Sequence, residues 1–239
     1  MRIEVCFTPR DYRELELPVH TAVVIDVLRA TSSIATALYN GCEQLLPVET
    51  VEEARELRTE KYTDALLAGE REAILIPGFD LGNSPFDYDK PKVHGRTIIM
   101  TTTNGTSALH AASRAETVYT ASFVNAGAVC EAVGGISDLV IVCAGTKGRF
   151  SVEDTLCAGL LADRLSDGAV LGDTALAAQA MYRYFAKDIT SRVKQSSHAA
   201  KLIRLGFEKD IEYCLQTDVI PLTPLYKYGL IMKAQKNVL

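Results

Sequence analysis

The sequence predicts an α/β fold, a largely parallel β-sheet flanked by helices in a three-layer α/β/α arrangement. Three observations carry that prediction. Short β-branched runs alternate with helical patterns along most of the chain. The runs are continuously apolar rather than alternating, as strands covered on both faces are. Three strand–helix junctions also carry polar loops, as expected where βα units open a ligand crevice. The 239 residues fit one α/β domain spanning 1–239, and the length also allows two closely packed subdomains.

The elements follow in order. "TAVVIDV" (21–27) reads as a buried strand, and "TSSIATALYNG" as a helix ending at Gly41. "EQLLPVE" is a second short strand-like run, and "VEEARELRTEK" a charged, exposed helix. "DALLAG" (64–69) is strand-like, with a Gly- and Pro-containing loop after it through "IPGFDLGNSPFDY". "RTIIMTTT" (96–103) is the next strand, and "NGTSALHAASRA" turns into a helix. "ETVYTAS" and "DLVIVCAG" are strands separated by the helix "VNAGAVCEAVGG". "SVEDTLCAGLLADRLSDG" is a helix capped by Ser151, with Glu153 and Asp154 favourable in its first turn. Residues from about 172 to 216 read as helices, and "YKYGLIMKA" as a last strand.

Composition excludes several function classes. A formal net charge of -5 argues against non-specific nucleic-acid binding, which needs a basic surface. No apolar run reaches the ~18 residues of a membrane span. The N-terminus lacks the apolar core of a signal peptide. The six cysteines form no C-x-x-C pair, so reduced thiols in a cytoplasmic protein are expected. The four histidines form no metal-ligand cluster. A homodimer is the expected state if the chain associates, being the commonest oligomer.

The chemistry lies in the loops "VVIDVLRATSS", "IIMTTTNGTSA" and "VIVCAGTKGRFSVED". Asp26 ends an apolar strand, where a bare carboxylate is costly unless a cation meets it. Arg29, Thr31, Ser32 and Ser33 then enter a helix, whose start favours anions. The structural alternative is Asp26 as a plain cap beside a surface Arg29. Asn104 sits in a loop rich in hydroxyls. Glu70 and Arg71 follow another apolar strand, and "GFDLGNSP" adds Asn83 and Ser84 in a loop that also suits a simple helix cap. Lys147 and Arg149 lie in a loop that Gly145 and Gly148 open to close backbone approach. Glu153 and Asp154 follow, suited to a divalent cation, although the helix dipole alone would also place acids there.

Cys143 and Arg149 also have the C-x5-R spacing of cysteine-dependent phosphatases, in which a thiolate attacks phosphorus. Against this, Phe150 stands where a hydroxyl residue usually follows the arginine, and the apolar run suits a buried cysteine. There is no G-x-x-x-x-G-K-[ST], no G-x-G-x-x-G after a strand and no G-x-S-x-G.

Taken in order, "DVLRATSSIATAL", "GER", "GFDLGNSP", "TTTNGT" and "CAGTKGRFSVEDTLCAG" strongly resemble the 2-phosphosulfolactate phosphatase family, over residues 20 to 170. The resemblance implies a magnesium-dependent phosphatase, cleaving 2-phospho-3-sulfolactate to 3-sulfolactate and phosphate, a step toward coenzyme M in organisms that make it. Its motifs carry over Asp26, Arg29, Glu70, Arg71, Asn83, Ser84, Asn104, Lys147, Arg149, Glu153 and Asp154. Chemistry divides their roles. Asp26, Glu70, Glu153 and Asp154 are expected to hold Mg²⁺. Asp26, Lys147, Arg149 and Asp154 are expected to be catalytic, and Arg29, Thr31, Arg71, Asn83, Ser84 and Asn104 to bind substrate. A substrate with three anionic groups needs a focused basic pocket in a net-negative protein, and Arg29, Arg71, Lys147 and Arg149 are its expected source. A non-catalytic binder of phosphorylated or sulfonated acids is the remaining alternative.

Overall fold

The structure, a computed structural model, describes residues 1–15 and 19–234. The strands are β1 (Arg2–Cys6), β2 (Thr21–Ile25), β3 (Gln44–Pro47), β4 (Leu66–Arg71), β5 (Ile74–Leu75), β6 (Thr97–Thr101), β7 (Thr117–Ala121), β8 (Asp138–Cys143), β9 (Val170–Leu171), β10 (Pro224–Lys227) and β11 (Leu230–Lys233). The helices are α1 (Pro9–Arg13), α2 (Ala30–Tyr39), α3 (Val51–Glu60), α4 (Lys90–Val93), α5 (Gly105–Ala112), α6 (Ala126–Val133), α7 (Val152–Arg164), α8 (Asp173–Phe185), α9 (Ile189–Lys194), α10 (Ser197–Arg204) and α11 (Glu208–Cys214).

The strands form one sheet in the order β5-β4-β6-β3-β11-β10-β7-β2-β8-β1-β9. It is mostly parallel and flanked by helices, as the sequence predicts. The central strands show why their sequences are continuously apolar. Ala22 and Val24 of β2 pack into one core cluster, while Val23 and Ile25 pack into another. In β8, Val140 and Val142 join the first cluster, and Leu139, Ile141 and Cys143 the second. Successive residues of a strand point to opposite faces, and here both faces are buried. Each such Val or Ile contributes roughly 1.5–3 kcal/mol of transfer free energy. A third cluster, with Leu46, Leu67 and Ile99, forms beneath α3.

The parallel strands fall into two groups. One is β7-β2-β8-β1-β9 and the other β3-β6-β4. Between them lies the hairpin β10–β11, antiparallel to β7 on one side and to β3 on the other. Three successive antiparallel ladders therefore make the two groups run in opposite directions.

The hairpin corrects one expectation, since "YKYGLIMKA" is not a single strand. Tyr228 and Gly229 both have positive φ, 54° and 79°, which is the two-residue turn that reverses a hairpin. Strand β1, which the sequence reading leaves unassigned, pairs with both β8 and β9. Strand β4 runs further than its apolar residues indicate, so Glu70 and Arg71 are its last two residues rather than the loop after it. The segment 172–216 is helical as expected, and it packs closely. A Cβ on Gly159 of α7 would collide with the Ala178 carbonyl oxygen of α8. Among the described residues no helix is long and apolar enough to cross a membrane.

Candidate active site

The polar loops do converge. A cavity of about 220 Å³ is lined by Asp26 and Arg29 after β2, Glu70 and Glu72 at the end of β4, Thr103 and Asn104 after β6, Thr146 and Lys147 after β8, and by Ser197, His198 and Lys201 of α10. Although β4 and β6 run opposite to β2 and β8 within the sheet, residues from the carboxyl ends of both groups line this one space. They approach closely: a Cβ on Gly105, at the start of α5, would sit 2.8 Å from Asp26 Oδ2.

Asp26 is fixed by the turn that follows it. The Thr31 amide and hydroxyl donate to the Asp26 carbonyl at 3.0 and 2.8 Å, and the Asp26 amide donates to the Thr31 hydroxyl at 3.0 Å. Thr31 is thus consumed in shaping the turn and is buried away from the cavity surface. The Asp26 carboxylate receives only a long 3.4 Å bond from the Ala30 amide. Burial pushes its pKa up to about 6; Glu70 and Glu153 add to the rise, while His198 and the Ala30 amide oppose it.

Asp154 lies behind the cavity. Its oxygens accept from the Val27 amide at 2.9 Å and the Gly145 amide at 3.0 Å, so one carboxylate closes the ends of the neighbouring strands β2 and β8. Burial, Asp26 and Glu153 hold its pKa well above the usual carboxylate range. Glu153 turns elsewhere, accepting from His198 Nδ1 at 2.8 Å and from the Ser196 hydroxyl at 3.4 Å. Glu70 accepts from the Thr103 and Ala73 amides at 2.7 and 2.6 Å, tying the loop after β6 to the β4–β5 turn.

The four acids therefore do not assemble as the metal cage expected of them. Among the described residues no three His, Cys, Asp or Glu side chains converge as metal ligands. Three of the four each accept two hydrogen bonds from other partners. Asp26, with one weak hydrogen bond and an open face to the cavity, fits a cation that takes a single protein carboxylate and completes its shell with water and phosphate oxygens, a common arrangement for magnesium.

The basic residues also separate. Arg29 is buried with its guanidinium 2.6 Å from Asp210 Oδ2, 3.1 Å from the Ala73 carbonyl and 4.2 Å over the Phe207 ring. Ser84 donates to the other Asp210 oxygen at 2.9 Å, so it braces α11 and does not line the cavity. Arg71 donates to the Glu70 carbonyl and the Thr101 hydroxyl outside the cavity lining. Arg149 is exposed and also outside it, its backbone pairing both ways with Thr146. Lys147 does reach the cavity. Its φ is 53°, and Asn104 Oδ1 accepts from its amide at 3.1 Å. Asn83 lines the cavity with its Oδ1 buried and lacking any protein partner.

Cys143 is poorly placed to act as a nucleophile, since it does not line the cavity. It is the fully buried last residue of β8, and burial, with the Asp154 charge beside it, pushes its thiol well above the usual range.

His198, Lys201, Glu72 and Asp210 are site residues that the sequence reading does not single out. Burial works against charge on His198, but the Glu153 hydrogen bond and the Glu153 and Asp26 charges outweigh it, leaving its pKa raised. The one available signal is "SSHAAK", a helix start carrying a histidine and a lysine three residues apart.

The family described as 2-phosphosulpholactate phosphatase matches residues 6–229. A protein of Thermotoga petrophila is 49% identical over 215 residues, 89% of this chain and 91% of its own. One of Clostridium acetobutylicum is 42% identical over 236 residues, covering 97% and 100%. One of Symbiobacterium thermophilum is 41% identical over 222 residues, covering 91% and 95%. Each is named a probable 2-phosphosulfolactate phosphatase. With the match spanning nearly its whole length, the chain belongs to the 2-phosphosulfolactate phosphatase family.

Proposed function

We propose that the protein is a phosphoric monoester hydrolase that cleaves 2-phospho-3-sulfolactate to 3-sulfolactate and phosphate, using magnesium. The observation that carries this reading is the single cavity in which a buried Asp26 faces Lys147 and His198, in a chain of this family. Asp26 would hold the magnesium, whose charge offsets that of the phosphate oxygens. The remaining work falls to the chain. Lys147 and Lys201 supply the positive charge that draws the anionic substrate into the cavity. Asn83 offers its unpartnered amide oxygen to a substrate hydroxyl or a bound water. His198, steadied through Nδ1 by Glu153, donates the proton that the departing C2 oxygen takes up when its bond to phosphorus breaks and water's oxygen replaces it. Asp154 and Glu70 act on the site by fixing its loops.

We place the reaction in the cytoplasm, because all six cysteines are free thiols. Where organisms make coenzyme M, the product would feed that synthesis. Phosphate release from 2-phospho-3-sulfolactate, measured with Mg²⁺ and then with EDTA, tests the reading. Release that stops in EDTA is expected; equal rates in EDTA, or no release at all, would overturn it.

A further inference from the structure

The substrate proposed above carries phosphate and carboxylate on the same carbon, with the sulfonate one carbon further. With the two groups on C2 placed at the buried Asp26, the sulfonate is left to reach the more exposed side of the cavity. Among the described residues, the Lys and Arg side chains lining the cavity are those of Arg29, Lys147 and Lys201. The guanidinium of Arg29 is taken by Asp210, Ala73 and the Phe207 ring. That leaves the two lysines, and the structure shows both gripping the same carboxylate. Lys147 Nζ lies 2.8 Å from Glu72 Oε1, and Lys201 Nζ bonds the other oxygen of Glu72.

Glu72 opens the two-residue turn between β4 and β5, where Glu72 and Ala73 both have positive φ, 56° and 71°. The turn itself is anchored, since Ala73 donates to Glu70 and accepts from Arg29. The Glu72 side chain, by contrast, is 57% exposed and has room to rotate into solvent. Two ammonium groups sharing the two oxygens of one carboxylate are spaced to hold two oxygens of another anion. Exposed ion pairs of this kind are weak, so an arriving anion exchanges for Glu72 without leaving either lysine uncompensated.

We infer that Lys147 and Lys201 form a second anion subsite that receives the substrate's sulfonate, and that Glu72 occupies this subsite until the sulfonate displaces it. The inference rests on the substrate reading given under Proposed function. It makes Lys201, which lies more than fifty residues beyond the Lys147 loop, a specificity-determining residue. It also makes Glu72 an internal competitor of the substrate.

Calorimetric titration of the native protein, Lys201→Gln, Lys201→Arg and Glu72→Gln with 3-sulfolactate and with lactate tests it. Losing one of two charged contacts in Lys201→Gln should weaken 3-sulfolactate binding about tenfold, with a far smaller change for lactate, which has no sulfonate. Lys201→Arg should restore most of the loss. Glu72→Gln, which frees both lysines, should bind 3-sulfolactate several-fold more tightly. Equal effects of Lys201→Gln on the two ligands, no effect on either, or weaker binding by Glu72→Gln would each overturn the inference. Phosphate release separates this outcome from that of the hydrolase reading. Sulfonate-selective binding through Lys201 without phosphate release would sink the hydrolase and leave the subsite, whereas hydrolysis with a Lys201→Gln variant that keeps the native KM for 2-phospho-3-sulfolactate would do the reverse.

Discussion

Replacing Asp26 by Asn should make the protein more stable and less active, by amounts that depend on pH. The carboxyl is buried, and its pKa rises from 3.8 to about 6. An unfolded chain releases that proton near pH 4, while the native state keeps it to about pH 6. Between those values the native state binds more protons, so its stability falls as pH rises. Over the whole window the difference amounts to up to about 3 kcal/mol. Asparagine carries no charge to bury, and its amide oxygen can still accept from Ala30. In EDTA, Asp26→Asn should therefore match the native protein near pH 4 and exceed it by up to about 3 kcal/mol at pH 8, or roughly 6–12 °C in Tm for a chain of this length. Its kcat/KM should fall on the order of 10²-fold or more. Thermal unfolding of both proteins from pH 4 to 8 reads the difference, which includes the loss of the Asp26 charge that raises the pKa of Asp154 and of His198. A variant less stable than the native protein at pH 8, or a gap that does not widen with pH, would refute the electrostatic account of the site.

Cys143→Ala should keep native kcat/KM, since a buried thiol held in its protonated form takes no part in the chemistry; loss of turnover in steady-state assays would restore the cysteine reading. Arg29→Ala leaves Asp210 buried with only the Ser84 hydroxyl, and urea unfolding should show a loss of about 3–5 kcal/mol that Arg29→Lys recovers only in part, because lysine cannot bond Asp210 and Ala73 while stacking on Phe207. His198→Asn should lower kcat by roughly 10²–10⁴-fold. In the native enzyme, activity that needs protonated His198 is lost as pH rises through its raised pKa, so this alkaline limb should vanish from the variant's pH profile.

Much of the fold was legible because the sheet is buried on both faces. Strands such as β2 and β8 advertise themselves as unbroken apolar runs, and their helices begin with recognisable caps such as Ser151. What escaped was set by long-range pairing. Strand β1 has a charged residue at positions 2 and 4 and becomes a strand by lying between β8 and β9. The loops "DVLRATSS" and "TKGR" announced an anion site, but not which side chains face it. Lys147 and Arg149 are two residues apart in one loop, and nothing in their spacing tells that Lys147 lines the cavity while Arg149 does not. Arg29 looks like a free guanidinium in sequence because its partner Asp210 lies 181 residues away. Glu70 and Asp154 look like metal ligands until their oxygens are seen to receive amides from other strand ends.

The direction of the strands explains why so many charged groups are spent on structure. In a single parallel sheet, all carboxyl ends lie along one edge, and a ligand rests in a crevice beyond it. Here two parallel groups oppose each other, so loops that begin on different groups must be held face to face. Within each group a carboxylate fixes the loops first, Glu70 tying the end of β4 to the loop after β6, and Asp154 the end of β2 to that of β8. Arg29 spans the groups themselves, reaching from the end of β2 to the β4–β5 turn while α11 holds its other nitrogen. Each of these contacts uses a charged group to satisfy backbone or a buried counter-charge, and each leaves Asp26 as the carboxylate still open to a ligand. The C-terminal segment completes the same logic. The β10–β11 hairpin joins the opposed groups, and α10 delivers His198 and Lys201 over the junction they create. The site is therefore a property of the joint between the ends of two strand groups, and a change that shifts one group against the other should move Glu70, Glu72 and Asn104 together away from Asp26 and Lys147.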